Sequence, residues 1–204
     1  MLKKVIQLLI FSTICLSPVH SFAKTVMILG DSLSAGYGIQ LQQGWVALLQ
    51  QRLNQQFPNT HKVVNASVSG ETSSGALARL PKLLQTHKPQ LVVIELGGND
   101  ALRGQPPQMI QNNLAKLIQL SQKANAKVLL LGMKIPPNYG TAYSTAFENN
   151  YKVLSQRYNV KLVPFFMQGV AGNAKLMQVD LIHPNAAAQP ILLKNVYPLI
   201  KAAL

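Results

Sequence analysis

The sequence predicts an α/β fold in which helices cover both faces of a parallel sheet. Short apolar runs alternate along the chain with segments whose apolar residues recur at helical spacing. Such alternation, with strands that are apolar almost throughout, is typical of a parallel sheet buried on both faces. With 204 residues, 48% hydrophobic and 12% charged, the chain is long enough for one well-packed domain and too apolar for a disordered one.

Five apolar runs are predicted as strands. The first, 25–29 (TVMIL), is followed by a glycine, and the third, 91–96 (LVVIEL), is the clearest. The second, fourth and fifth are 62–65, 127–132 and 161–164. Because sites in such sheets form beyond the carboxyl ends of the strands, we expect the chemistry in the residues that follow these runs.

The segments between and after the strands are predicted as helices. Pro81 is expected to kink or interrupt the second of them. Asn185 is a suitable N-cap for the last, whereas Pro190 and Pro198 fit that helix poorly. The predicted helices cover 45–57, 76–84, 110–118, 141–158 and the tail from 185 onward.

Residues 1–23 have the pattern of a cleaved signal peptide. Lys3 and Lys4 precede an apolar stretch at 5–16, and small residues lead up to Ala23. That stretch is too short to span a bilayer of about 30 Å, although an uncleaved anchor is the alternative. We therefore expect cleavage after Ala23 and export to the periplasm or out of the cell.

The segment 24–204 is predicted to be a single domain without thiol chemistry. The sole cysteine, Cys15, lies in the predicted leader. The exported chain would then have no disulfide and no thiolate metal site.

The charge of the chain is strongly positive. Nineteen Lys and Arg against six acids give +13, which attracts anionic partners such as phospholipid headgroups or a CoA-like carrier, or simply keeps the protein soluble. Nucleic acid is not expected, because the basic residues are dispersed and no nucleic-acid-binding signature is present. The few carboxylates are concentrated in or beside the motifs described next, Glu148 excepted. The six are Asp31, Glu71, Glu95, Asp100, Glu148 and Asp180.

Four polar motifs are candidates for a functional site. They are GDSLS at 30–34, SGET at 69–72, GGND at 97–100 and DLIHP at 180–184. Each alone also fits an ordinary turn. The first three are separated by about one βα unit each, so we expect all four to converge on one edge of the sheet.

The first and last motifs supply candidates for a nucleophile and its base. A serine in the position of Ser32, on a sharp turn after a strand, is exposed and close to free backbone N–H groups. Asp180 precedes His183 by three residues, so its carboxylate can reach the imidazole Nδ1–H and leave Nε2 free to take a proton from Ser32.

The two middle motifs supply candidates for stabilising a negative oxygen. Gly70 can bring its backbone N–H close to a ligand, because no Cβ intervenes. Asn99 can aim its side-chain amide at a developing oxyanion. Together with the serine, histidine and aspartate, these donors would complete a site for acyl transfer.

The four motifs resemble those of the SGNH, or GDSL, hydrolase family, and the resemblance extends over 25–194. It implies a three-layer α/β/α sandwich of flavodoxin-like type with a five-stranded parallel sheet. It also implies a Ser32–His183–Asp180 triad and an oxyanion hole formed by the Ser32 N–H, the Gly70 N–H and the Asn99 amide. No cofactor and no metal are implied.

One departure from the family pattern falls inside the site. The fourth motif commonly reads D-G-x-H-P, but Leu181 occupies the glycine position here. A side chain then stands where the backbone is usually bare, and we expect it to narrow the leaving-group side of the site.

The segment 135–140 (IPPNYG) follows the fourth strand and, by the same resemblance, lines an acyl-binding groove through Ile135, Pro136 and Tyr139. Four further apolar residues could extend this groove or simply belong to the core. They are Phe165, Phe166, Met167 and Met177.

These features predict a monomeric serine ester hydrolase that cleaves small-molecule acyl esters and thioesters. For an exported enzyme, the natural candidate substrate is a lysophospholipid at a membrane surface. A short-chain carbohydrate or aryl esterase of the same family is the first alternative. A non-enzymatic lipid- or polyanion-binding protein on the same fold is the second, since fold alone does not fix function.

Overall fold

A five-stranded parallel sheet with helices on both faces forms the protein, as predicted. The computed structural model describes residues 24–204, and the predicted signal peptide with Cys15 lies outside the described residues. The strands follow the order β2-β1-β3-β4-β5 across the sheet. They are β1 (Lys24–Gly30), β2 (His61–Asn65), β3 (Leu91–Glu95), β4 (Lys127–Leu131) and β5 (Lys161–Val163).

Seven α-helices connect and follow these strands within the described residues. Two of them, the short α1 and α4, begin directly after strands and were not predicted. The helices are α1 (Ser32–Ala35), α2 (Trp45–Gln56), α3 (Ser73–His87), α4 (Gly98–Leu102), α5 (Pro107–Lys123), α6 (Thr141–Tyr158) and α7 (Gln189–Ala203).

The helices form two layers because the central strands are apolar on both sides. The side chains of Val26, Met27, Ile28 and Leu29 in β1 are wholly buried, and so is nearly all of β3. Burying one such aliphatic side chain contributes about 1.5–3 kcal/mol, so both faces must be covered. Helix α2 packs against α7, whereas α5 packs between α3 and α6.

The prolines change two of the predicted helices less than expected. Helix α3 continues through Pro81 from Ser73 to His87, so of the predicted kink or interruption the interruption is wrong. The last α-helix begins at Gln189 rather than at Asn185, which instead caps a 3₁₀ turn by accepting a hydrogen bond from the Ala187 N–H. Pro190 falls in the first turn, where its missing N–H removes no helical hydrogen bond.

Neither a membrane-spanning helix nor a metal-binding cluster is found within residues 24–204. No helix there is long and apolar enough to cross a membrane. No group of three or more His, Cys, Asp or Glu side chains in this part of the chain is placed to hold a metal ion.

Candidate active site

The candidate site lies at the carboxyl edge of the sheet, where the sequence placed it. Strand β1 ends at Gly30 and helix α1 begins at Ser32, so the serine stands on the turn between them. Asp31 caps this helix, because its Oδ1 accepts a hydrogen bond of 3.0 Å from the Leu33 N–H. The strand and the cap together fix the direction of the turn that carries Ser32.

The structure brings Ser32, His183 and Asp180 together in one hydrogen-bonded chain. His183 Nε2 lies 2.9 Å from Ser32 Oγ, across 151 positions of sequence. His183 Nδ1 lies 2.7 Å from Asp180 Oδ2. With a proton on Nδ1, Nε2 is free to accept the serine proton, which is the arrangement that activates a serine hydroxyl.

Asp180 is held in its ionised form by short-range hydrogen bonds. Its Oδ1 accepts from the backbone N–H groups of His183 at 3.0 Å and Ile182 at 2.9 Å. The His183 backbone N–H, then the His183 ring and the Ile182 N–H, lower the pKa of the Asp180 carboxyl from 3.8 to about 2. The carboxylate is therefore a permanent acceptor for the imidazole at any pH near neutrality.

The loop that carries these two residues is exposed but anchored. Gln178 Nε2 donates to the carbonyl oxygens of Tyr37 and Pro184, at 2.7 and 3.1 Å. The Tyr37 ring lies 4.5 Å from the His183 ring, centroid to centroid. These contacts hold the base against the turn of the candidate nucleophile.

Leu181 lies at the top of this loop in a left-handed conformation, with φ of 56°. L-residues other than glycine rarely adopt this conformation, because Cβ then approaches the following carbonyl. The side chain is 66% exposed and also lines the cleft beside Ser32. A glycine at this position would meet no such strain.

The three candidate oxyanion donors follow strands β1, β2 and β3 in the chain, and Ser32 and Asn99 line the cleft whereas Gly70 does not. The Ser32 N–H begins α1, and Gly70 has a φ of 77°, a conformation that suits glycine. Within residues 24–204 neither of these N–H groups has a hydrogen-bond acceptor. Asn99 lies in the first turn of α4, and its Nδ2 donates to Asp31 Oδ2 at 3.0 Å, which fixes the direction of the amide.

Two buried acids behind Ser32 were missed as site residues by sequence reasoning. Burial raises the pKa of the Asp31 carboxyl from 3.8 to about 6. Burial, and then the charge of Asp31, raise the pKa of Glu95 well above its ordinary value of 4.5. The available signal was a carboxylate at the end of an otherwise apolar strand, since such a group is almost never buried without a partner.

A cleft of about 590 Å³ opens beside Ser32 and His183, and its walls are largely apolar. Of the three residues predicted to form the acyl groove, Ile135 and Pro136 line this cleft. Tyr139 is not among the lining residues: it is half-buried, and its hydroxyl donates to the Leu102 carbonyl at 3.0 Å. The tyrosine holds the cleft wall from behind.

The four further apolar residues divide between the cleft and the core. Phe165, Met167 and Met177 line the cleft, whereas Phe166 is wholly buried against Trp45. The cleft volume falls in the range of sites that enclose small organic ligands.

Residues 28–190 match the model of the GDSL-like Lipase/Acylhydrolase family. Esterase TesA of Pseudomonas aeruginosa is 53% identical over 182 residues, which cover 89% of this chain and 90% of that protein. An arylesterase of Vibrio mimicus is 43% identical, covering 86% and 88%. Thioesterase 1/protease 1/lysophospholipase L1 of Escherichia coli K12 is 46% identical, covering 87% and 86%.

Solved structures agree with these matches. The crystal structure of TesA has a TM-score of 0.86 at 53% identity and covers 89% of this chain and 100% of its own. A psychrotrophic esterase EstA from Pseudoalteromonas sp., inhibited by monoethylphosphonate, has a TM-score of 0.84 at 47% identity, covering 88% and 97%.

Proposed function

The chain belongs to the GDSL-like lipase/acylhydrolase family and is an ester-hydrolysing enzyme, and from that premise we propose that Ser32, His183 and Asp180 carry out the hydrolysis. The observation that carries the proposal is the pair of contacts from His183, 2.9 Å to Ser32 Oγ and 2.7 Å to Asp180 Oδ2. Family membership also decides against the non-enzymatic binding protein that the sequence left open.

The reaction follows from this chain of hydrogen bonds. Ser32 Oγ attacks the carbonyl carbon of the ester while His183 Nε2 takes its proton. The imidazolium, steadied by the Asp180 carboxylate, then gives this proton to the leaving oxygen or sulfur as the acyl-enzyme forms. Water, deprotonated by the same histidine, attacks the acyl-enzyme and releases the free acid and Ser32.

The negative oxygen of the tetrahedral intermediate would be held by donors from three loops. These are the N–H groups of Ser32 and Gly70 and the Nδ2 of Asn99. The contact of Asn99 Nδ2 with Asp31 engages one of the two amide hydrogens and leaves the other available. Preorganised donors of this kind contribute most when they are fixed before the reaction.

The cleft indicates an acyl chain as the part of the substrate that it binds. Its lining around Ser32 includes Met133, Ile135, Pro136 and Phe165, which can enclose a hydrocarbon chain of medium length. We infer acyl esters and thioesters as substrates, with lysophospholipid as the main candidate. The similarity to an arylesterase keeps a short-chain or aryl ester as the second candidate.

The leaving part of the substrate is proposed to be anionic. Asp31, Glu95 and Asp100 are buried, and the remaining acids each have a cationic or histidine partner in the described chain. The exposed surface is therefore dominated by cations, whereas Lys134 at the cleft is itself paired with Glu148 at 3.5 Å.

Exposed apolar side chains next to the base favour catalysis at a membrane surface. Val179, Leu181 and Ile182 are 102%, 66% and 48% exposed, and all belong to the loop of Asp180 and His183. Such a patch beside a cationic surface suits an anionic membrane. We propose that the enzyme acts as a monomer exported across the inner membrane, with its apolar loop meeting the lipid.

Hydrolysis of p-nitrophenyl esters from acetyl to palmitoyl tests this function. The purified chain from residue 24 onward is compared with Ser32→Ala and, as a matched control, Ser74→Ala, an exposed hydroxyl on α3. We expect a maximum at medium or long chains that only Ser32→Ala abolishes. Cleavage of acetate alone would leave the site standing but remove the lipid substrate, and equal activity in Ser32→Ala would overturn the site.

A further inference from the structure

Glu95 is a buried acid that the proposed reaction does not use. It is the last residue of β3, it lies opposite Gly30 in the parallel register, and its side chain has no solvent exposure. A Cβ added to Gly30 would lie 2.7 Å from Glu95 Oε2. The glycine that begins the GDSLS motif therefore leaves room for this carboxyl beneath the serine turn.

One oxygen of Glu95 holds the serine turn at two points. Ser34 Oγ donates to Oε2 at 2.7 Å, and the Asp31 backbone N–H points to the same oxygen at 3.3 Å. Trp45 Nε1 in turn donates to Ser34 Oγ at 3.2 Å, which leaves the serine hydroxyl hydrogen for Glu95. Ser32 lies between these two anchored residues, so its backbone is fixed from both sides.

The surroundings of Glu95 favour a neutral carboxyl. None of the ion pairs within residues 24–204 includes Glu95, and its Oε1 has no partner there. The charge that acts on Glu95 itself is that of Asp31, and Tyr151 and Asp100 in the same region supply no positive charge. His183, which becomes cationic when protonated, acts on Asp31 and not on Glu95. Burial and the Asp31 charge raise the pKa of Glu95, which agrees with the geometry.

Asp31 connects this buried acid to the proposed oxyanion hole. Its Oδ2 accepts from Asn99 Nδ2 at 3.0 Å, and its Oδ1 accepts from the Leu33 N–H at 3.0 Å. Two carboxylates at this depth cannot both carry charge without a large cost. The donors point to Asp31 as the charged member of the pair, with Glu95 as the neutral one.

We propose that Glu95 is a positioning residue, whose neutral carboxyl fixes the Ser32 turn through Ser34 and the Asp31 backbone and leaves the Asp31 carboxylate to orient the Asn99 amide. The proposal rests on the roles assigned above to Ser32 and Asn99. An ionised Glu95 would repel Asp31 and loosen both the nucleophile and the oxyanion donor.

Carbon-13 NMR of protein labelled at the glutamate carboxyl carbon tests the protonation directly. The chain has three glutamates, Glu71, Glu95 and Glu148, so three signals are expected, and Glu95→Gln assigns one of them. We expect the Glu95 signal to keep the chemical shift of a protonated carboxyl at pH 7. The chemical shift of an ionised carboxylate for Glu95 at pH 7 would overturn the proposal.

Kinetics on a soluble ester then separate a neutral positioning role from a charged one. Glu95→Gln keeps the shape and an acceptor oxygen, so its kcat should stay within about threefold of the wild type. Glu95→Ala frees the turn and should lower kcat by about 10²-fold with little change in KM. Equal losses in both variants, or no loss in Glu95→Ala, would contradict the proposal.

A second variant decides the case if Glu95→Ala does not fold. Ser34→Ala leaves Glu95 in place but removes one of its two contacts with the turn, and we expect kcat to fall about tenfold while KM is kept. An unchanged kcat would overturn the positioning role. If the wild type hydrolyses no ester, the proposed function fails, whereas the NMR titration still reports on Glu95.

Discussion

The two halves of the proposed active site are built in opposite ways. The half with the nucleophile rests on the sheet: Ser32 follows β1 directly, and Asp31 and Glu95 behind it are buried. The half with the base stands on an exposed loop, in which the Asp180 side chain is 38% exposed and Val179 fully exposed. One half is fixed by packing, and the other by hydrogen bonds among near neighbours.

The two halves also shift the pKa values of their carboxyl groups in opposite directions. Burial raises the pKa of Asp31 to about 6, whereas backbone and ring N–H donors lower that of Asp180 to about 2. The buried half therefore tolerates little negative charge, and the exposed half keeps its charge. The site thus combines a rigid nucleophile with a base whose partner, the Asp180 carboxylate, stays ionised at little cost in free energy.

Removal of the base should have the largest effect on this arrangement. His183→Ala should lower kcat by about 10⁴–10⁶-fold, because within residues 24–204 the Ser32 hydroxyl has a hydrogen bond to His183 Nε2 and to no other group. The matched control, His87→Ala at the end of α3, should retain wild-type kinetics. Steady-state hydrolysis of a soluble ester measures both variants, and a loss below about tenfold in His183→Ala would refute its role as the base.

Removal of the side-chain oxyanion donor tests the rigid half and should have a smaller effect. Asn99→Ala should lower kcat by about 10²–10³-fold with little change in KM, because the amide acts mainly on the transition state. The measurement is kcat and KM on the same ester. A variant in which KM alone changes would place Asn99 in substrate binding instead.

The pH dependence of stability should distinguish the buried half. Glu95 holds its proton more tightly in the folded chain than in the unfolded one, where its ordinary value is 4.5. Stability is therefore lost as pH rises above that value, because ionisation then favours the unfolded state. Glu95→Gln has no such group, so its Tm relative to the wild type should increase between pH 4 and pH 8. A constant difference would contradict the buried neutral acid.

The exposed half should gain stability when its backbone strain is removed. Leu181→Gly suits the φ of 56° and loses little burial, so we expect a rise of about 1 kcal/mol and a Tm higher by about 2–4 °C. Asn159→Gly, at a φ of 50°, is the matched control with a smaller rise, because asparagine tolerates this conformation. Thermal unfolding of both variants measures this, and a lower Tm for Leu181→Gly would show that its side chain stabilises the loop.

Local patterns made most of the fold predictable. Strands such as β3 are apolar throughout, so their position does not depend on distant residues. Prolines were harder to interpret, since tolerance of Pro81 within α3 depends on the packing of the whole helix. The onset of α7 at Gln189 likewise depends on a 3₁₀ turn that the N-cap signal alone did not reveal.

The candidate site was likewise predictable where its residues belong to local motifs, and not where their role depends on the three-dimensional fold. Ser32, His183 and Asp180 belong to motifs whose spacing carries information, and the structure brings them into contact. Glu95 has no such motif, because its role depends on the register that sets it opposite Gly30. The contact of the Tyr139 hydroxyl with the Leu102 carbonyl was not predictable for the same reason, because it depends on how two distant segments pack.

The most direct test of the account is to locate the adduct of a serine-reactive phosphonate by peptide mass spectrometry. Ser34, two residues beyond Ser32, is a demanding internal control, because its hydroxyl is buried and committed to Glu95. We expect a single adduct on Ser32, absent from His183→Ala, with activity lost in proportion to labelling. Labelling of Ser34 or of another serine, or full activity after complete labelling of Ser32, would contradict the proposed nucleophile.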